Sequence, residues 1–129
     1  MISKDPKIYE LGINYVLKMI KGKWKPNILC GLSIRSFRYN ELLDGLNHSF
    51  NNRISQKVLT SQLKELEADG MITRNEIKAS HPKIVSYSLT DKGRKVASVL
   101  KEFSKFGEEL AKDNVDIEIQ YKFGSNLDM

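Results

Sequence analysis

Three leucines set the first pattern. Leu59, Leu63 and Leu66 fall at i, i+4 and i+7, one apolar stripe on a 3.6-residue period. Ser55 precedes the run as a candidate N-cap, and Gly70 follows it where a left-handed turn suits glycine. The spacing predicts a helix over about 55–69. Upstream, Ile8, Leu11, Tyr15 and Met19 step i, i+3, i+7, i+11, with Val16 and Ile20 beside them. They predict a helix over about 7–21, ended by Gly22. "KWKPNILCGLS" predicts a second helix over 24–32, with Trp24 at its start, Pro26 in its first turn and Ile28, Leu29 and Leu32 as core contacts. "SFRYNELLDGL" predicts a third over 40–47, with Asn40 as N-cap and Leu42, Leu43 and Leu46 apolar.

After Gly70 the period changes to two. "MITRNEIK" is rich in β-branched residues, and "KIVSYSLT" places Val85, Tyr87 and Leu89 on one side and Ser86 and Ser88 on the other. "ASHP" turns between them, so 71–89 reads as a β-hairpin. Thr90 and Asp91 open a last helix over about 91–112. Its stripe, Val96, Val99 or Leu100, Phe103, Phe106 and Leu110, is close to a heptad. That stripe packs either on the first helix of its own chain or on a second subunit. A core this small does not easily cover both terminal helices, which favours a homodimer with Leu11, Tyr15, Val99, Leu100, Phe103, Phe106 and Leu110 at its interface. The tail, 113–129, alternates Val115, Ile117, Ile119 and Tyr121; a short strand, an extended arm and a frayed end all fit.

The resulting chain is a single α+β domain, mainly α with a small hairpin. Two short helices joined by a turn, the second with a polar outward face, make a helix-turn-helix candidate, and the hairpin that follows makes a wing. The outward face of the 55–69 helix carries Lys57, Thr60, Ser61 and Lys64, with Gln56 at the first turn, and acidic residues begin only at Glu65. A solubilising face mixes charge signs. This one suits a major groove: Gln pairs with adenine, Ser and Thr reach base edges or phosphates, and Lys reaches guanine or phosphate. An ordinary solvated face is the competing reading. Arg53 and Ser55 adjoin the helix start. Arg38 and Asn40, ahead of the third helix, are candidate phosphate contacts, as are Lys78 and Lys83 at the hairpin tip. His81, before Pro82, reads as a turn residue.

Charge sharpens this picture. Net charge is +5 and the sequence pI about 9.3, which favours an anionic partner. Residues 1–95 hold 17 lysines and arginines against 9 acids; residues 96–129 hold 4 against 7. The basic part contains the polar-faced helix. Charged residues among the first twenty fit no signal peptide, and no apolar run approaches a membrane span. One cysteine allows no internal disulfide and fits a reducing cytoplasm. Cys30 lies in the apolar run "ILCGL" and reads as packing rather than a sensor. His48 and His81 stand apart from any CxxC or HxxxH, so no metal or other cofactor is expected. Neither a nucleophile–base pair nor a glycine-rich phosphate loop occurs, which argues against an enzyme.

Four blocks then appear in order: "IKGKWKPNIL" at 20–29, "FRYNELLDGL" at 37–46, "ISQKVLTSQLKELEADGMITR" at 54–74 and "VSYSLTDKGRKV" at 85–96. Through them the chain resembles the HxlR-type family of bacterial winged helix-turn-helix regulators, relatives of the MarR group, over roughly residues 11–107. The resemblance implies a dimeric transcription factor on double-stranded DNA. It implies the 55–69 helix in the major groove, the 71–89 hairpin as wing and the terminal helices in the dimer interface. Two departures stand out. Many family members have a redox-active cysteine thirteen residues before the tryptophan of the GKW block, and Leu11 occupies that position here. "NHSFNNRIS" is also several residues longer than the family's usual turn, which leaves either an altered angle or a third helix that runs on. A winged domain that binds protein rather than DNA is the alternative class. Regulation by an unknown small-molecule effector and constitutive binding both remain open.

Overall fold

The computed structural model describes residues 5–49, 53–77 and 82–121. Among them the chain runs α1 (Gly12–Ile20), α2 (Trp24–Leu32), β1 (Phe37–Arg38), α3 (Tyr39–Ser49), α4 (Gln56–Ala68), β2 (Ile72–Ile77), β3 (Ile84–Leu89) and α5 (Asp91–Lys112). The fold is mainly α with a small antiparallel sheet of order β1-β3-β2. β2 and β3 form the hairpin, in register from Ile72 opposite Leu89 to Ile77 opposite Ile84. Its tip, with Lys78 and His81, lies outside the described residues.

The core forms where the helical stripes converge. Ile28 and Leu29 of α2, Leu42 and Leu46 of α3, and Leu59, Leu63 and Leu66 of α4 are all buried. Met71, Tyr87 and Leu89 close it from the sheet, and Ala97 and Leu100 from α5. Gly93 sets how closely α5 approaches: a Cβ there would stand 2.0 Å from the Met71 carbonyl oxygen. The caps follow local chemistry. Ser55 Oγ accepts from the Val58 N–H at 3.1 Å and starts α4. Gly70, at φ 75°, ends it in the left-handed region. Thr90 Oγ1 accepts from the Gly93 N–H and starts α5.

Four local features differ from the sequence-based expectation. The first helix begins at Gly12, not near residue 7. Leu11 is extended, and its N–H donates to Asn14 Oδ1 at 3.0 Å, a side-chain bond that takes the place of another helical turn. Asn40 is not a cap but lies in the first turn of α3; Glu41 Oε1 accepts from the Arg38 N–H at 2.8 Å instead. Just before α3, Phe37 and Arg38 pair with Tyr87 and Ser86 as the third strand. Beyond α5 the alternating tail makes no strand among residues 113–121. Asn114 Oδ1 accepts from the Asp116 N–H at 3.0 Å, closing a turn where extension was one expectation. Of the two alternatives for the long connection after α3, the helix does run on, to Ser49.

Candidate nucleic-acid interface

With Leu59, Leu63 and Leu66 turned into the core, α4 leaves Gln56, Lys57, Ser61 and Lys64 exposed. Thr60 is half-buried at the edge of that face. Two side chains from other helices brace it. Tyr39, at the start of α3, places its hydroxyl 3.1 Å from the Gln56 carbonyl oxygen and 3.0 Å from Thr60 Oγ1. On the opposite flank, Ser61 Oγ donates to Glu65 Oε2 at 3.3 Å. The other oxygen of that carboxylate takes the ammonium of Lys25, from α2, at 2.6 Å. Lys25 is a buried cation; its side chain is 4 % exposed. The Lys25 ammonium bonded to Glu65 holds that carboxyl below the usual carboxylate range.

Beside α4, the start of α3 and the hairpin enclose an open groove of about 780 Å³. Arg38, Asn40, Thr60, Lys64 and Lys83 all line it, so five of the residues singled out from sequence meet there. Gln56, Lys57 and Ser61 lie outside this lining, on the helix's outer face. Arg53 is exposed just before the helix start. Lys83 is not a bare cation: its Nζ sits 3.2 Å from Glu76 Oε1, and Arg74 Nη1 lies 3.2 Å from Glu76 Oε2. These two cations hold the Glu76 carboxyl low, Lys83 foremost. At the other end, Glu41 is held low chiefly by the Arg38 N–H it accepts. The Arg35 guanidinium stacks over the Phe37 ring at 3.9 Å. Lys78 falls outside the described residues.

Sequence reading missed three contributors. Arg74 sits on an exposed strand position and could have been found from its charge alone. Tyr39 and Lys25 act on partners 17 to 40 residues away, which no local spacing announces.

The terminal helices divide differently. In α1 only Met19 and Ile20 are buried, and Leu11 and Tyr15 are exposed together with Ile13 and Leu17. The α5 stripe splits. Leu100, assigned from sequence to a dimer interface, is buried in the chain's own core, while Val99, Phe103, Phe106 and Leu110 remain exposed. Cys30 is half-buried, and desolvation raises its thiol above the ordinary value, so it stays protonated near neutrality. Among the described residues no group of three or more His, Cys, Asp or Glu side chains could hold a metal ion. No helix among them is long and apolar enough to cross a membrane.

A braced polar helix face, a hairpin beside it and a helix-turn-helix core make the winged helix-turn-helix fold, and the family that the chain matches is one of DNA-binding transcriptional regulators, not enzymes. The chain belongs to the HxlR-like helix-turn-helix family, which residues 19–115 match. It is 41 % identical over 105 residues to a protein of Fusobacterium mortiferum named as the regulatory protein MalR, covering 78 % of this chain and 91 % of that one. A solved MarR-family regulator from Enterococcus faecalis V583 superposes with a TM-score of 0.70 at 30 % identity, over 89 % of this chain and all of the other. The redox regulator HypR in its reduced form superposes with the same TM-score, 0.70, at 32 % identity, over 81 % of this chain and 96 % of HypR.

Proposed function

We propose that the protein acts in the cytoplasm as a homodimer that binds a near-palindromic operator. Two copies of α4 enter successive major grooves on one face of the duplex, about 10 base pairs apart centre to centre. The observation that carries this is the outer face of α4: Gln56, Lys57, Ser61 and Lys64 are exposed together, with the nearest acid, Glu65, paired to Lys25, next to the groove lined by Arg38, Asn40 and Lys83. Lysines and arginines supply salt-dependent affinity to phosphate; Gln56, Thr60 and Ser61, with Lys57, supply sequence choice. Arg53 and Ser55 bring the helix start to the backbone, and Lys78 and Lys83 carry the wing to it. Dimerisation is supported by apolar side chains exposed among the described residues, Leu11 just before α1, Tyr15 on α1 and Val99, Phe103, Phe106 and Leu110 on α5. The effector this reading leaves room for is a small apolar molecule in the groove of about 760 Å³ between α2, α3 and α5, lined by Ile28, Cys30, Leu42 and Leu100.

The test is fluorescence anisotropy across a salt series, with the duplex upstream of the protein's own gene against a scrambled duplex. Tight selective binding with a steep negative salt slope supports the reading. Equal weak binding to both places the true target elsewhere. No binding at low salt brings forward a winged domain that binds protein.

A further inference from the structure

The polar face of α4 carries two hydroxyls, Thr60 and Ser61, and the groups around them constrain where their protons go. Tyr39 has one proton and two neighbours, the Gln56 carbonyl oxygen at 3.1 Å and Thr60 Oγ1 at 3.0 Å. A carbonyl oxygen only accepts. Both contacts are therefore satisfied in one arrangement: Tyr39 donates to Gln56, and Thr60 donates to the Tyr39 oxygen. That spends the single proton Thr60 has. What Thr60 keeps for a ligand is its ability to accept. Ser61 is in the same condition, since its proton goes to Glu65 Oε2 and a carboxylate held by the buried Lys25 ammonium has no proton to return.

An acceptor on a major-groove helix has few partners. Phosphate oxygens, guanine O6 and N7, and thymine O4 all accept and give it nothing. Only the exocyclic amino groups, N6 of adenine and N4 of cytosine, donate there. We propose that Thr60, its proton committed to Tyr39, reads an exocyclic amino group, so that the base facing it is adenine or cytosine and never guanine or thymine. Tyr39 is the positioning residue: its own proton is spent within the protein, and it decides which kind of base Thr60 accepts. Ser61 obeys the same rule through Glu65 and Lys25. This inference rests on the DNA-binding reading above.

The experiment begins by selecting a duplex from a random pool with the full chain. Amino groups are then removed one at a time, purine replacing adenine and 2-pyrimidinone replacing cytosine. Affinities are measured for wild type, Thr60→Val and Tyr39→Phe. Wild type should lose about fivefold or more at the position Thr60 faces, as at any that Ser61 or Gln56 reads, and Thr60→Val should lose its sensitivity at one of those positions alone. Tyr39→Phe frees the Thr60 proton, so guanine or thymine should become acceptable where wild type rejects them. A Thr60→Val protein that keeps every amino-group sensitivity overturns the proposal. So does a Tyr39→Phe protein that binds more weakly on all duplexes with its base preference unchanged, which is what a merely structural tyrosine would give. A selection that yields no preferred sequence removes the DNA reading itself, and that failure is visible before any variant is made.

Discussion

α4 and the far half of α5 carry equally regular apolar stripes and use them in opposite ways. Leu59, Leu63 and Leu66 of α4 are at most 2 % exposed, while Phe103, Phe106 and Leu110 of α5 are 55–62 % exposed. The change falls within α5 itself. Gly93, Ala97 and Leu100 are buried in the chain's own core; from one turn later the stripe is mostly exposed among the described residues. A helical period therefore reports that a face will be covered, and not by what. Where the winged core ends, the same pattern is left for another surface. Polar contacts also hold α4 from both sides: it is tied to α3 through Tyr39 and to α2 through Lys25.

The contrast is broken most directly with alanine. Leu63→Ala should cost about 2–5 kcal/mol of unfolding free energy, since the side chain is 2 % exposed and its loss leaves a cavity. Phe106→Ala, measured at concentrations too low for association, should cost less than about 1 kcal/mol. Equal losses in chemical denaturation would mean that the α5 stripe is covered within the monomer after all.

Charge sharpens the other side of the comparison. Phe103→Glu with Phe106→Glu should leave the monomer's melting temperature nearly unchanged and abolish self-association in sedimentation. Leu100 is unsuitable for this test although it belongs to the same stripe, because a carboxylate buried at that position would unfold the core. A persistent dimer would place the interface away from α5. A smaller effect is expected on the solvated face of α4. Lys57→Ala should leave stability within about 0.5 kcal/mol. It should reduce the salt slope of operator binding by about 1 if the ammonium meets a phosphate, or relax choice at one base pair if it meets guanine. No change in either would take Lys57 off the interface.

Much of this division was legible in the chain. The three leucines, the Ser55 cap and Gly70 bound α4 correctly because each signal is local, acting within four residues. The alternation in "KIVSYSLT" likewise became β3. What escaped was set by partners far away. β1 is two residues long and exists because Tyr87 and Ser86 offer it an edge. The early residues of the first predicted helix have the right period but few core contacts to stabilise it, and Leu11 turns out instead. Within the site, the basic residues were found from type and spacing. The braces were not, because a tyrosine next to a strand and a lysine next to a proline look the same whether or not a distant helix is waiting for them.

The Lys25–Glu65 brace gives the last and smallest test, and pH reads it. Glu65 is exposed while Lys25 is buried, so the pair is asymmetric: loss of the carboxylate leaves a buried ammonium without its ion-pair partner. The folded pKa of Glu65 is lowered, first by the hydrogen bond from Lys25 and then by its charge. Its contribution to stability is therefore fully present above the unfolded carboxylate pKa, about 4.3, and fades as pH falls through the lower folded value. Glu65→Gln lacks that contribution throughout. Urea midpoints of wild type and variant should differ most at neutral pH and converge once pH has fallen through the lowered folded value. A gap that stays constant into acid would mean the carboxylate's charge does not hold α2 to α4, and that the brace is packing alone. A gap that closes would identify the ion pair as a tie that holds α2 to α4 within the winged core.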